Sequence, residues 1–368
     1  MKIRVIRLTD PDRKLYDVFF ESCGGAFLQQ STYWAEVIAE LGPDTPFFLL
    51  AEEAGELLAG LPLYLFEHRL GNVLTSVPQS GPLGGVFLRS GLSDPVAEAC
   101  YAALLQEAVS LAHAHRCIAL SLITHPFTDD LAHYRSHLQP DYVFENFTQS
   151  IDLREHFDSS GAVCLPDYHR RTNLSRNLAK ARRAGYRVRY CTDPSEIDAL
   201  YQVHLKRHAE IAAPPIDARL LRNIAIHLVP QGKAFFLVLE SDTGIASWGV
   251  YLHHRAVVDV LRLNMDSAAA THCPNFLNTD ESLRHCLPLG VTHYNWQSAP
   301  SRASGVYRYK QQWGSRESTY HYVTKLFCPP AYLAELGLET LQREYPLHFI
   351  APYAAATQNF TPGFYRKE

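Results

Sequence analysis

Apolar and polar residues alternate along this chain in two periods, one typical of strands and one of helices. In the first half, the helical period predicts helices at about 11–23, 31–41, 93–115 and 129–136. The segments PFFLLAEE and LLAGLPLYLF predict a β-hairpin that turns at Ala54-Gly55, and CIALSLI predicts a central strand. A strand pair is expected around YVFENFTQSIDL. This alternation is typical of an α/β (α+β) fold.

The second half repeats the pattern of the first. It predicts helices near 195–212, 217–228 and 275–288, with the hairpin AFFLVLESDTGIASWGVYLHH between them. The two hairpins match at an offset of 188 or 189 residues, in the pairs Phe47-Phe48-Leu49 with Phe235-Phe236-Leu237, Gly55 with Gly244, and Gly60 with Gly249. We interpret this as an internal duplication, the alternative being chance similarity of two hairpins. The predicted domains are 1–160 and 161–328, followed by a C-terminal helix and extension over 329–368.

Composition limits the class of protein. The 368 residues suffice for two domains, and 47% hydrophobic with 20% charged residues is ordinary for a soluble globular protein. The net charge of −4 disfavours a general nucleic-acid coat, and we expect no DNA partner. The sequence shows no signal peptide or transmembrane run, and its eight cysteines form no CxxC pair, so we expect a cytoplasmic protein. Peripheral contact with a membrane stays open.

One basic segment departs from this average. Arg170–Arg189 holds eight Lys or Arg residues and no acid. A helix over 168–184, with Asp167 as N-cap and Gly185 after its end, would place Leu174, Leu178 and Ala181 on its inner face. The outer face would carry the cationic stripe, which we define as Arg176, Lys180 and Arg183. We expect the stripe to bind phosphate, supported by Arg170 and Arg171; the alternative is an ordinary basic surface helix.

Two motifs give a resemblance to a known family. The segment Arg176–Tyr186 is similar to R-x-N-(L/I)-x-K-A-x-x-x-G-(V/Y), matching it from Asn177 onward with the arginine one position nearer, and Gly305–Gly314 fits G-x-x-x-(F/Y)-K-x-x-(F/W)-G. Together with FLQQSTYW and SGPLGG in the first half, they resemble the FemAB/FemX-like acyltransferases over about 1–326. The resemblance implies two tandem GNAT-like domains, each a mixed, mainly antiparallel sheet flanked by helices.

The resemblance also implies an activity, the transfer of an acyl or aminoacyl group from an activated donor to an amine. The donor would be acyl-CoA or the aminoacyl-tRNA that FemAB-like enzymes use, and no resident cofactor is expected. The acceptor would be a small molecule or a nucleotide-linked, phosphate-bearing compound related to the cell envelope. The segment Asn264–Cys273 has no glycine where acetyl-CoA users carry a pyrophosphate loop, which disfavours acetyl-CoA. The alternative function is a non-catalytic GNAT-fold protein that binds an anionic ligand or RNA.

The candidate site lies in the second half. We expect an oxyanion to be stabilised by a backbone N–H between Leu261 and Asn264 and by the Lys310 ammonium within an aromatic cluster. The alternative for Lys310 is a surface lysine in a strand turn. Two HxxxH pairs lack the glutamate of a zincin, and no metal site is expected. The catalytic candidates are Lys310, Tyr309 and Asn264. The binding candidates besides the basic segment are Asn275, Trp296, Gln297, Tyr307 and Trp313.

Overall fold

The chain forms two compact units in a computed structural model that describes residues 1–76, 84–155, 173–346, 348–352 and 363–366. The first unit comprises Met1–Thr148 and Ser318–Glu368, and the second comprises Gln149–Glu317. Strands β7 (Tyr142–Asp152) and β13 (Arg316–Leu326) each span a boundary of this division.

The first unit contains a mixed sheet in the order β1-β2-β3-β4-β6-β13, with β5 beside β3 and β14 beside β7. Its other strands are β1 (Lys2–Arg7), β2 (Thr45–Glu53), β3 (Glu56–Phe66), β4 (Asn72–Thr75), β5 (Phe87–Leu88), β6 (Cys117–Ile123) and β14 (Gly363–Arg366). Its helices are α1 (Arg13–Ser22), α2 (Thr32–Ile38), α3 (Asp94–Ala114), α4 (Leu131–Leu138), α10 (Pro330–Leu336) and α11 (Leu338–Glu344). Buried aliphatic residues of β2, β3 and β6 pack against α3 and form the core.

The second unit has the sheet order β8-β9-β10-β11-β12-β7. Its other strands are β8 (Arg187–Cys191), β9 (Ala234–Ser241), β10 (Gly244–His254), β11 (Val257–Met265) and β12 (His293–Asn295). Its helices are α5 (Leu174–Arg183), α6 (Ile197–Glu210), α7 (Ala218–His227), α8 (Pro274–Cys286) and α9 (Gly305–Gln311). The core joins β9, β10 and β11 to α5 and α8 and is rich in aromatic rings.

The two sheets share one pairing scheme. In each, four consecutive strands pair antiparallel, the next pairs parallel after a crossover helix, and a last strand pairs antiparallel. Both hairpins also contain a register shift near the turn, at Ala51/Glu52 in the first and Ile245/Ser247 in the second. This common scheme supports the duplication that the sequence predicts.

Close packing explains why both hairpins carry a glycine at the matched positions Gly60 and Gly249. A Cβ on Gly60 would stand 2.4 Å from the Phe87 ring, and one on Gly249 would stand 2.5 Å from the Tyr251 hydroxyl. A Cβ at either position would force the covering aromatic side chain to shift, which favours glycine there.

Most predicted elements are present, with three differences. The pair expected around YVFENFTQSIDL is the single strand β7, α9 is a helix that the sequence pattern did not indicate, and the C-terminal segment holds two helices and β14. The helix expected over 168–184 is described as Leu174–Arg183, while Asp167, Arg170 and Arg171 lie outside the described residues. The domain boundaries stay predictions. The contact-based units differ from them chiefly in assigning Ser318–Glu368 to the first unit.

Candidate active site

A cavity of about 350 Å³ opens in the second unit where β11 and β12 separate. Among the described residues, the two strands pair through Val257–Asp259 of β11 and His293–Asn295 of β12. Strand β11 then continues to Met265, whereas β12 ends before Trp296. Helix α9 closes the gap between them. The cavity is lined by Val260, Leu261, Arg262, Leu263, Asn275, Trp296, Gln297, Ser298, Gly305, Val306, Tyr309 and Lys310.

A β-bulge shapes one wall of this cavity. Tyr251 of β10 pairs with Val260, and Val250 pairs with Arg262, so Leu261 is an extra residue in β11. A bulge re-aims side chains and takes a residue out of the hydrogen-bond ladder. The backbone N–H that the sequence places at Leu261 to Asn264 thus falls on an irregular part of the strand, and its catalytic role remains a prediction.

Lys310 lies in α9 and is 5% exposed, so it is not the surface lysine in a strand turn that the sequence left open. Its ammonium donates to the carbonyl oxygens of Trp296, Gln297 and Ser298, each at 2.9 Å. An ammonium has three donors, and these contacts use all of them. In this geometry Lys310 fixes the segment that leaves β12 and acts on the cavity through it.

Of the three aromatic residues expected around Lys310, Tyr309 and Trp313 pack together, whereas Tyr307 is bonded at the surface. Tyr309 donates from its hydroxyl to the Asn275 carbonyl at 2.9 Å and packs edge-on against Trp296, with ring centroids 6.0 Å apart. Burial raises the pKa of Tyr309, so its hydroxyl stays protonated and serves as a hydrogen-bond group. Trp313 is 1% exposed and belongs to the core, whereas Tyr307 donates to Glu317 on the surface at 3.1 Å.

Asn264 engages a histidine of α6. The N–H of Ile216 donates to His204 Nε2 at 3.1 Å, which assigns the proton to Nδ1, and Nδ1 donates to the Asn264 side-chain oxygen at 2.9 Å. Burial is the main cause that lowers the pKa of His204, so the imidazole is neutral. Asn275 lies at the cavity, and its side-chain oxygen accepts from Ser247 at 2.7 Å.

The α5 helix has the two faces that the sequence predicts. Leu174, Leu178 and Ala181 are buried, and the cationic stripe is exposed and forms no ion pair with any residue the structure describes. The neighbouring Arg182 instead binds Asp280 of α8 at 2.7 Å. The stripe does not line the cavity, so phosphate binding there stays a prediction separate from it.

The connection from β11 to α8 fits a pyrophosphate poorly. A 3₁₀ turn at Ser267–His272 fills it, and Pro274 at the first helical position has no N–H. The Asp266 carboxylate accepts from the Ala268 N–H at 3.0 Å and is itself paired with Lys206 at 2.6 Å. The N–H groups of Ala269 and Cys273 donate to carbonyls of the same turn, so these backbone donors are not free for an anion.

Arg262 is a cavity residue that the sequence reasoning missed. Its side chain is half-buried, and burial lowers the pKa of the guanidinium. Its one hydrogen bond within the described part of the chain goes to the adjacent Leu261 carbonyl, at 2.7 Å. Two neutral donors of the same cavity, Trp296 Nε1 and Gln297 Nε2, are buried with no hydrogen-bond acceptor among the described residues.

Comparison with known proteins identifies the fold. Residues 169–311 match the acetyltransferase (GNAT) domain family. No curated protein sequence matches the chain. Among solved structures, FemX is 14% identical with a TM-score of 0.65, covering 88% of this chain and 97% of its own. L-PGS from Bacillus licheniformis is 14% identical with a TM-score of 0.54, covering 87% and 93%.

A third similar structure is a tandem GNAT protein from the clavulanic acid biosynthesis pathway, without AcCoA, which is 13% identical with a TM-score of 0.51, covering 89% and 99%. Across the described ranges, no helix has the length and hydropathy to cross a membrane. No group of three or more metal-binding side chains occurs in that same part of the chain. The chain thus has a tandem GNAT fold, and residues 169–311 match the acetyltransferase (GNAT) domain family.

Proposed function

We propose that the cavity between β11 and α9 is where an acyl or aminoacyl group passes from an activated donor to an amine. The observation that carries the proposal is the combination, at one cavity, of the Leu261 bulge with two buried donors, Trp296 Nε1 and Gln297 Nε2, that have no acceptor in the described part of the chain. Donors held in a water-poor site stabilise charge that develops on an acyl oxygen. The match of residues 169–311 to the GNAT domain family supports the same assignment.

The transfer step balances without a protein base at the cavity. The amine nitrogen attacks the acyl carbon, a C–N bond forms, and the bond to the donor's sulfur or oxygen breaks. Of the described residues that line the cavity, none is a carboxylate or an imidazole. We therefore assign the amine proton to the departing group or to water, and the enzyme's contribution to orientation and electrostatics.

An aminoacyl-tRNA is the donor that the structure favours over acetyl-CoA. The filled connection at Ser267–His272 and the Asp266 carboxylate disfavour a pyrophosphate, whereas the exposed cationic stripe is suited to a polyanion. The FemAB-like resemblance agrees with this donor and with a cell-envelope acceptor that carries phosphate.

The test measures donor binding first and transfer second. Thermal shift of the full chain is compared with acetyl-CoA, longer acyl-CoAs, aminoacyl-tRNA and deacylated tRNA. Transfer to a pool of primary amines is then followed by mass spectrometry, with Trp296→Phe as the cavity variant and Trp34→Phe in the first unit as its match. Transfer that Trp296→Phe lowers and Trp34→Phe spares is the expected result.

The filled connection after β11 also favours a second candidate, a non-catalytic protein that binds an anionic ligand or RNA. Equal stabilisation by charged and deacylated tRNA, with no amide formed from any donor, would support this candidate and contradict acyl transfer.

A further inference from the structure

Arg262 is a cation at the proposed site that has no counter-ion among the residues the structure describes. It follows the bulge in β11, lines the cavity and is half-buried. Within the described part of the chain its guanidinium contacts one carbonyl oxygen and no carboxylate. A guanidinium has five N–H donors, so most of the hydrogen-bonding capacity of this cavity-lining side chain is left without an acceptor among the described residues.

Other arginines of the second unit show that the chain supplies carboxylates where a guanidinium needs one. Arg182 and Arg284 both bind Asp280, at 2.7 and 3.1 Å, and Arg189 binds Glu240 and Glu196. Arg182 is exposed, whereas Arg189 and Arg284 are half-buried like Arg262. The hydrogen bond to Glu240 raises the pKa of Arg189, while burial lowers the pKa of Arg262, which has no carboxylate partner among the described residues to offset the loss of hydration.

A second observation points to a ligand in the same place. Trp296 is 4% exposed, lines the cavity, and its indole N–H has no acceptor among the described residues. The side-chain amide N–H₂ of Gln297 is also buried and also has no acceptor among the described residues. Buried donors normally find acceptors, so two such donors without an acceptor in the described part of the chain, beside a guanidinium with spare N–H groups, favour a ligand that supplies acceptors.

We propose that this cavity binds a carboxylate on a ligand whose remainder is apolar or aromatic, with Arg262 as the residue that recognises the charge. A guanidinium fork matches a carboxylate through two parallel hydrogen bonds. One unpaired guanidinium balances one negative charge, whereas a phosphate monoester brings nearly two. Val260, Leu263 and Val306 supply an apolar lining for the rest of the ligand. The inference rests on the proposed function in taking this ligand for a substrate.

The experiment compares a carboxylate with its neutral isostere. The full chain is titrated with 4-phenylbutyrate, 4-phenylbutyramide and 4-phenylbutyl phosphate, and binding is followed by ligand-observed NMR. We expect the wild-type protein to bind the carboxylate about 10- to 100-fold more tightly than the amide, as for a charge-assisted bond. Arg262→Met should reduce this ratio to near one, and Arg262→Lys should give an intermediate ratio because it keeps the charge and loses the fork.

A matched control separates recognition from folding. Arg308 is exposed on the same helix as Lys310, does not line the cavity and donates only to the Ala303 carbonyl among the described residues. Arg308→Gln should keep the wild-type ratio. The ratio itself is insensitive to partial unfolding, because both probes lose the same fraction of binding-competent protein.

Three outcomes would overturn the inference. They are an equal affinity of wild type for carboxylate and amide, an unchanged ratio in Arg262→Met, and a preference for the alkyl phosphate that depends on Arg262. The transfer assay tests the proposed function independently of this binding experiment. A carboxylate preference that depends on Arg262, without amide product from any donor, would leave the anion site standing and refute acyl transfer. If Arg262→Met and Arg308→Gln leave transfer equally intact, acyl transfer would stand and the anion site would be refuted.

Discussion

Replacing Lys310 by methionine tests whether this lysine is a structural clamp or a catalytic cation. Methionine keeps the length of the side chain and its contacts with the aromatic cluster, and it removes the ammonium. The carbonyl oxygens of Trp296, Gln297 and Ser298 then lose their donor, at a point where Gln297 holds a positive φ of 58°. The segment between β12 and α9 is expected to loosen.

The magnitude follows from these three bonds. Hydrogen bonds to a charged group contribute about 1.5–3 kcal/mol each. Burial of the ammonium offsets part of the sum, since a 5% exposed charge has lost most of its hydration. We therefore expect the free energy of unfolding to fall by about 3–5 kcal/mol, the range found when one partner of a buried charged pair is removed.

Urea unfolding followed by tryptophan fluorescence measures this change, because Trp296 and Trp313 both lie near the clamp. The matched control is Lys180→Met on α5. Lys180 is exposed and forms no ion pair with a described residue, so its replacement should change the unfolding free energy by about 0.5 kcal/mol or less. A loss below about 1 kcal/mol in Lys310→Met, combined with abolished transfer, would refute the clamp and favour direct contact with the oxyanion.

Three further predictions concern other parts of the chain. Burial raises the pKa of Asp130 to about 7 although Tyr101 donates to it, so ionisation of this carboxyl group opposes folding. The free energy of unfolding of the wild-type protein should therefore fall between about pH 4 and pH 7, by up to roughly 4 kcal/mol relative to Asp130→Asn. Urea titrations at each pH measure this change. Gly60→Ala should cost about 1–3 kcal/mol in thermal unfolding, and Phe87→Leu should recover most of it by opening the space that the new Cβ needs. Neutralising the cationic stripe should lower the log–log salt slope of tRNA binding by roughly 2–3 in filter binding.

The outcomes that would contradict these predictions are specific. For the carboxyl group, the contradicting outcome is an unfolding free energy that depends on pH in the same way in wild type and in Asp130→Asn. As a control, replacement of the exposed Asp129 by Asn should leave the pH dependence of the wild type unchanged. For the glycine, it is an additive rather than a compensating double mutant. For the stripe, it is the same slope change in Arg222→Gln, whose guanidinium is already paired with Asp198.

The repeat of two hairpins was readable from the sequence, whereas the assignment of the last strands was not. Apolar periodicity and the matched glycines depend on local packing, which recurs in both copies. The partner of a strand depends on long-range pairing instead. β13 follows the second unit in sequence and pairs with β6 of the first, at Leu326 with Ala119 for example. No local pattern encodes such a pairing, which is why the predicted boundaries followed the order of the chain.

Helix α9 was within reach of the sequence and was missed. Ser304 accepts from the Tyr307 N–H at 3.1 Å, the N-cap arrangement that its sequence position could have indicated. The helix has only seven residues, too few for a helical period of apolar positions to stand out. Arg262 was missed for a different reason. In the alternating run VVDVLRLNM an arginine at this position is typical of a solvent-facing residue of a strand, and only the separation of β11 from β12 turns that face into a cavity wall.

The contrast between Lys310 and Arg262 bears on which cation meets a ligand. A cation whose donors are all bound to backbone carbonyls gains little from an arriving oxyanion, because it would first have to break bonds of similar strength. A cation that has no counter-ion among the described residues, such as Arg262, has more to gain from a new ion pair. The Lys310 ammonium can still act on a ligand at long range, since its charge lies beside the cavity. Its donors do not discriminate between ligands, because they are bound to backbone carbonyls. Selectivity for charge at this cavity therefore depends on Arg262, and substitutions there should change which ligand binds before they change how well the domain folds.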